Sequence, residues 1–178
     1  QPDGAAGVLL GLSLPLAQQR KRLSIQVDRS AVAEIRSPLS IEQCWLRLSP
    51  GQANVLRRLA TQAAACSVRI GVFGSLAWEV LSGEDYRHAE SDIDLIIDVD
   101  TMAQLDAMLL ALQLAASQLP CRLDGEIRLP DGSAVAWREF AANRDKPTAG
   151  VLVKGPREVA LLPMQSLLAS LDEACSHA

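Results

Sequence analysis

Val68-Arg69-Ile70-Gly71-Val72-Phe73-Gly74-Ser75, followed after a polar stretch by Ser91-Asp92-Ile93-Asp94-Leu95-Ile96-Ile97-Asp98-Val99, decides the fold. Val68 to Phe73 is β-branched and aromatic and stops at Gly74-Ser75, and Leu76 to Leu81 then reads as helical until Ser82-Gly83. This predicts a strand, a tight turn and a helix. Gly83 to Ser91 is polar and irregular, and it delivers the chain to a second strand from Asp92 to Val99. Side chains alternate across a strand, so Asp92 and Asp94 project from the same face.

Downstream, Asp100 or Thr101 caps a helix from Met102 to Gln118, with Leu105, Met108, Leu109 and Leu112 on one face and Pro120 closing it. Arg122 to Leu129 alternates as a strand, and Pro130-Asp131-Gly132-Ser133 is turn chemistry. Ala134 to Phe140 answers it, which predicts an antiparallel hairpin. Val151 to Lys154 and Val159 to Leu162 pair around Gly155-Pro156, and a last helix runs from Leu161 or Pro163 to Leu171. Upstream, Gly7 to Leu14 and Arg22 to Val27 form a strand pair around the polar Gln18 to Lys21. Ser40 and Gln43 resemble a capping box before a short helix carrying Ile41, Trp45 and Leu48. Ser49 then caps a second helix with Pro50 at its first position, reaching about Cys66. The expected class is α+β, a mixed sheet with helices on one side. Residues 1–48 would form a small N-terminal subdomain containing the β element, and residues 49–178 the catalytic domain.

Composition narrows the function. The 178 residues are 49% hydrophobic and 21% charged, ordinary globular values. The longest apolar run, Ala107 to Ala116, is interrupted by Gln113 and is far short of the roughly 20 residues of a membrane span. Gln1-Pro2-Asp3-Gly4 lacks the basic-then-apolar order of a signal peptide, so a cytoplasmic location is expected. A net charge of -4 argues against a nucleic-acid partner, which needs a basic face. Arg20-Lys21-Arg22 and Arg57-Arg58 are local basic clusters and candidates for docking a partner. Cys44, Cys66, Cys121 and Cys175 are widely spaced, with only His88 and His177 as possible co-ligands, so free thiols rather than zinc ligands are expected.

The chemistry rests on Gly74-Ser75, Asp92-Ile93-Asp94 and an acidic position on the following strand, Asp124 or Glu126. Like charges as close as Asp92 and Asp94 repel, and a hard divalent cation between them relieves the repulsion. Magnesium suits an oxygen-only set that shares the ion with substrate phosphates. Glycine at a strand-to-helix turn lets a phosphate approach the backbone, and the helix N-terminus aims amide hydrogens at it. The Ser75 hydroxyl can add a donor. Each feature alone has a plainer reading, a helix cap or a solvated strand edge, and their order along the chain makes them specific. Arg138, Arg122 and Lys154 are candidate phosphate ligands. Tyr86 and His88, in the polar loop, are possible contacts to a base or ribose, and Trp137 reads as core.

This pattern resembles the nucleotidyltransferase superfamily typified by DNA polymerase beta, in which a Gly-Ser turn precedes Asp-x-Asp and a third Asp lies on a later strand. The resemblance implies that fold and a two-metal, in-line attack on an α-phosphorus, with Asp92 and Asp94 holding both Mg2+ ions. It implies Asp124 as the third carboxylate, with Glu126 as its substitute. The interval from Ser75 to Asp92 is longer than usual, the excess being Gly83 to Glu90. Phe73-Gly74-Ser75, Gly83-Glu84-Asp85-Tyr86, Ser91-Asp92-Ile93-Asp94-Leu95, Asp124-Gly125-Glu126 and Ala136-Trp137-Arg138-Glu139-Phe140 together resemble the phosphoribosyl-dephospho-coenzyme A transferases of bacterial malonate decarboxylase systems. That likeness implies transfer of 2'-(5''-phosphoribosyl)-3'-dephospho-coenzyme A from its triphosphate precursor to a serine of the acyl carrier subunit, with loss of pyrophosphate. Other readings of the same fold are an ATP-dependent nucleotidyltransferase acting on a small molecule or another protein, and a non-catalytic antitoxin-like binding module.

Overall fold

The computed structural model describes residues 7–155 and 158–175, with side chains described through residue 171. Gln1 to Gly4, Pro156, His177 and the side chain of Cys175 lie outside the described residues. Two strands, β1 (Val8–Ser13) and β2 (Arg22–Val27), pair antiparallel as an isolated ribbon with Ser13 opposite Arg22. The Ser40 and Gln43 capping contacts form as read, but the turn they open, Glu42–Arg47, is 3-10 rather than α. Ser49 and Gln52 complete a capping box that starts α1 (Pro50–Ala65).

The main sheet is built from β3 (Arg69–Phe73), β4 (Ile93–Asp98), β5 (Leu123–Arg128), β6 (Ala134–Ala136), β7 (Gly150–Lys154) and β8 (Val159–Pro163), adjacent in that order. Only β4 and β5 run parallel. A parallel pair needs a crossover, and α3 (Met102–Gln118), started by a capping box at Thr101 and Gln104, provides it. Between β3 and β4 lie α2 (Gly74–Ser82) and the polar loop, and α5 (Met164–Cys175) follows β8. The class is therefore α+β with a mixed sheet.

One expected strand is corrected. Ala134 to Phe140 continues as strand only through Ala136, and Trp137 opens α4 (Trp137–Asn143). Trp137 and Phe140 are both buried, a spacing of three that a helix satisfies and a strand does not. Arg138, Glu139, Ala141 and Ala142 are helix-tolerant fillers around them. Trp137 is core, as expected, and its Nε1 donates to the Leu123 carbonyl at 3.2 Å.

Burial alternates along the central strands. Ile93, Leu95 and Ile97 of β4 and Leu123 and Ile127 of β5 are fully buried, whereas Asp94, Ile96, Asp98, Asp124, Glu126 and Arg128 face the half-exposed side. The apolar face joins Leu56, Leu59, Leu76, Leu105, Met108, Leu112 and Phe140 in one core. Ile41 and Cys44 belong to that core and Leu39 bridges Val72, which ties the segment before residue 49 to the unit after it. Cys44, Cys66 and Cys121 are free, and burial pushes the Cys44 thiol up to about 11, so it stays protonated and unreactive. Among the described residues no helix is long and apolar enough to cross a membrane.

Candidate active site

Sheet register assembles the acidic group. Asp94 on β4 stands level with Phe73 of β3 and with Asp124 of β5, so the end of the first strand and the third acid flank the second. Asp92 precedes β4, and its approach is fixed one residue earlier: the Ser91 amide donates to the His88 carbonyl, and Ser91 Oγ accepts from the His88 amide, both at 3.0 Å. Gly74 begins α2 with φ of +66°, and a Cβ there would stand 2.1 Å from Asp94 Oδ2. Only glycine permits that contact between the turn and the carboxylate.

Burial, and after it the charges of Asp124 and Asp92, raises the Asp94 carboxyl above the ordinary aspartate value, with Arg122 and Arg22 offsetting part of the effect. Asp124 is partly satisfied: Oδ2 pairs with Arg122 Nη2 at 3.1 Å, and Oδ1 accepts the Gly125 amide at 3.0 Å. As the side chains stand, no group of three or more His, Cys, Asp or Glu converges as metal ligands among the described residues. An all-oxygen set whose central carboxylate is destabilised by its neighbours nonetheless suits a hard divalent cation.

A polar pocket of about 570 Å³ opens over Asp92 and Asp94, lined also by Gly74, Ser75, Tyr86, His88, Glu90 and Ser91, together with Ser13, Arg20 and Arg22 of the N-terminal ribbon. Tyr86 is buried and stacks on Trp78, with ring centroids 6.2 Å apart. A separate apolar groove of about 410 Å³ between α1 and α3 has Arg58 as its one charged lining residue and offers no group for phosphoryl chemistry.

Of the other candidates, Arg122 reaches the group through Asp124. Glu126 sits one step further along β5, level with Ile96, and pairs with Lys154, so neither joins the pocket. Arg138 lies on α4 rather than a strand. Its guanidinium stacks 4.5 Å from the Trp137 ring centroid, donates to the Leu123 carbonyl at 3.1 Å, and lines a groove with Gln113 and Ser117 away from the acids.

Two features of the site escaped sequence reasoning. Arg20 and Arg22 line the pocket, although their clustering pointed only to a docking surface. The polar loop is tied down by a buried carboxylate: Glu79 of α2 accepts from the Tyr86 amide (3.1 Å), the Arg87 amide (2.8 Å) and Arg87 Nε (2.8 Å). A lone glutamate in an otherwise uncharged nine-residue helix was the available signal.

Residues 39–165 match the family model described as the phosphoribosyl-dephospho-CoA transferase MdcG C-terminal domain. The chain belongs to this transferase family. Curated phosphoribosyl-dephospho-CoA transferases similar to it include one from Xanthomonas axonopodis pv. citri, 37% identical over 96% of this chain and 78% of the relative. Others are from Xanthomonas euvesicatoria pv. vesicatoria, 36% identical over 90% and 73%, and Bradyrhizobium diazoefficiens, 35% identical over 90% and 70%. No solved structure matches the chain. The span matched to the phosphoribosyl-dephospho-CoA transferase family contains Gly74, Ser75, Asp92, Asp94 and Asp124, while Arg20 and Arg22 precede it.

Proposed function

We propose that the chain is a nucleotidyltransferase of polymerase beta-like fold that attaches 2'-(5''-phosphoribosyl)-3'-dephospho-CoA to a serine of the malonate decarboxylase acyl carrier subunit, using its triphosphate precursor and Mg2+. The observation that carries this reading is that Asp92 and Asp94 line one pocket with Gly74-Ser75 while sheet register sets Asp124 level with Asp94, in a chain related to phosphoribosyl-dephospho-CoA transferases. Asp92 and Asp94, with Asp124, would hold the metal. Bound there, Mg2+ would stabilise the charge that develops on the transferring phosphoryl group and on its leaving group.

The protein's own groups do the rest. Gly74, lacking a Cβ, leaves room for phosphate oxygens beside the first turn of α2, whose free amides and positive end favour an anion. Ser75 donates a hydroxyl to the same phosphate. Asp124, level with Asp94, accepts the proton of the attacking serine. A bond forms between the serine oxygen and the α-phosphorus as the bond from that phosphorus to the bridging oxygen breaks, and pyrophosphate leaves with the electron pair.

Mass spectrometry of the carrier subunit after incubation with the protein, Mg2+ and the triphosphoribosyl precursor tests the reading. A mass increase equal to the phosphoribosyl-dephospho-CoA group on a serine is expected. An unshifted carrier, or labelling of a small hydroxyl compound from ATP instead, would refute the assignment.

A further inference from the structure

The pocket has a second wall, and it is basic. Arg20 and Arg22 come from the N-terminal ribbon, some 50 residues before the glycine turn, and share the pocket with Gly74, Ser75, Asp92 and Asp94. Two contacts seat the ribbon on the polar loop. The Leu16 amide donates to the Asp85 carbonyl at 2.8 Å, and Arg20 Nη1 lies 2.8 Å from His88 Nε2, which must accept because a guanidinium can only donate. Gln19 and Arg20 both hold left-handed backbone, with φ of 61° and 51°, to bring the arginine there. Non-glycine residues seldom adopt that conformation.

Neither arginine is held in an ion pair, although the charge of Arg22 reaches Asp94 across the pocket. Eight ion pairs occur among the described residues, and they engage every arginine flanking the acids on the sheet, Arg69, Arg122 and Arg128. Neither Arg20 nor Arg22 takes part in any of them. His88, the one side-chain partner of Arg20, leaves the guanidinium charge uncancelled. The wall opposed in charge to Asp92 and Asp94 therefore presents two planar forks suited to bidentate phosphate binding.

We propose that Arg20 and Arg22 bind the two phosphates of the triphosphate substrate that are not transferred, and hold them as they depart as pyrophosphate; this rests on the transferase reading above. A carboxylate wall cannot grip a polyphosphate directly, since like charges repel. The ribbon supplies the positive counterpart that Arg138 and Lys154, engaged elsewhere, do not. Lys21, between the two arginines, does not line the pocket and is the internal control for simple charge.

Calorimetric titration of the full chain with pyrophosphate in Mg2+ buffer tests this. Arg20→Gln and Arg22→Gln should each weaken binding about tenfold or more, the loss expected for a hydrogen bond to a charged group. Lys21→Gln should leave it nearly unchanged, and all three variants should melt close to the parent, since these side chains are exposed and the Leu16–Asp85 backbone contact still seats the ribbon when Arg20 is replaced. Parental affinity in both arginine variants, or an equal loss in Lys21→Gln, overturns the inference while the transferase reading stands. A parent chain that binds no pyrophosphate sinks both together.

Discussion

Replacing Gly74 by alanine separates the site from the fold. The new Cβ would lie 2.1 Å from Asp94 Oδ2, so the carboxylate must retreat by about 1.3 Å to reach ordinary contact at 3.4 Å. The clashing atoms, Asp94 Oδ2 and, at 2.9 Å, Cγ, belong to a side chain rather than to backbone, so the sheet can survive. The backbone cost is that of a left-handed alanine at φ +66°, about 1–2 kcal/mol. For a chain of this size that corresponds to a fall in Tm of roughly 2–8 °C. A misplacement of about 1 Å at a reacting centre costs on the order of a hundredfold in rate. Gly74→Ala should therefore remain folded at 25 °C, lose on the order of a hundredfold in initial rate of carrier modification, and melt slightly early. Gly51→Ala, on the exposed first turn of α1 with nothing within 4 Å of its Cβ, should be stabilised by about 0.4–1 kcal/mol with unchanged rate. Transfer by Gly74→Ala at the parental rate would refute the idea that this glycine exists to admit the Asp94 carboxylate and a phosphate.

Other substitutions probe other links. Because the native Asp94 carboxyl is raised, the folded state holds that proton more tightly than the unfolded chain. Its contribution to stability thus falls as pH rises from the ordinary aspartate value through the raised one. Asp94→Asn should accordingly raise Tm at neutral pH in EDTA, lose that gain below the ordinary aspartate range, and abolish transfer; a variant destabilised at neutral pH would contradict the repulsion. Glu79 behaves oppositely: burial disfavours its charge, but bonds from the Arg87 side chain and from the Arg87 and Tyr86 amides outweigh it and hold the carboxyl below the usual range. Its stabilisation is complete above the ordinary glutamate value and lost as pH falls through the lowered one. Glu79→Ala should cost about 3 kcal/mol and expose the loop to proteolysis between Gly83 and Ser91, and parental protease resistance would count against the tether. Gly125→Ala, at φ +142° with its Cβ 2.0 Å from the Leu95 carbonyl oxygen, should cost at least about 3 kcal/mol and yield little soluble protein; normal expression and melting would disprove the clash.

Most of the main elements were legible because each carries a local signal: Ser49-Pro50 and Thr101 for helix starts, β-branched runs for β3 and β4, Asp131-Gly132-Ser133 for the hairpin turn. That Asp92 and Asp94 share a face and that an acidic position follows on the neighbouring strand was legible, because strand periodicity fixes a face and the order of elements fixes neighbours. The strand from Ala134 to Phe140 misled because the turn before it predicts a hairpin partner of that length, whereas Trp137-Arg138-Glu139-Phe140 places its apolar residues three apart, and burial of both aromatics follows the helical spacing. Glu126 and Asp124 share a face, so sequence could not rank them; sheet register sets Asp124, not Glu126, level with Asp94. Arg20 and Arg22 were opaque as pocket residues because their placement depends on a long-range seat, Leu16 on Asp85, that no local pattern encodes.

The single parallel pair in the sheet gives the molecule a timetable. Asp94 is in the chain 30 residues before Asp124, and Asp92 earlier still, and β5 reaches β4 only after the whole of α3 has been made. Closing that pair sets Asp124 level with Asp94 and spans more chain than any other pairing within the main sheet, and pairings of long sequence separation form slowly. That pairing is also the assembly of the acidic group, and a divalent cation or a lower pH should hasten it, seen as a faster refolding limb in stopped-flow dilution from urea. The feature that arms the pocket for phosphate is, during folding, a brake.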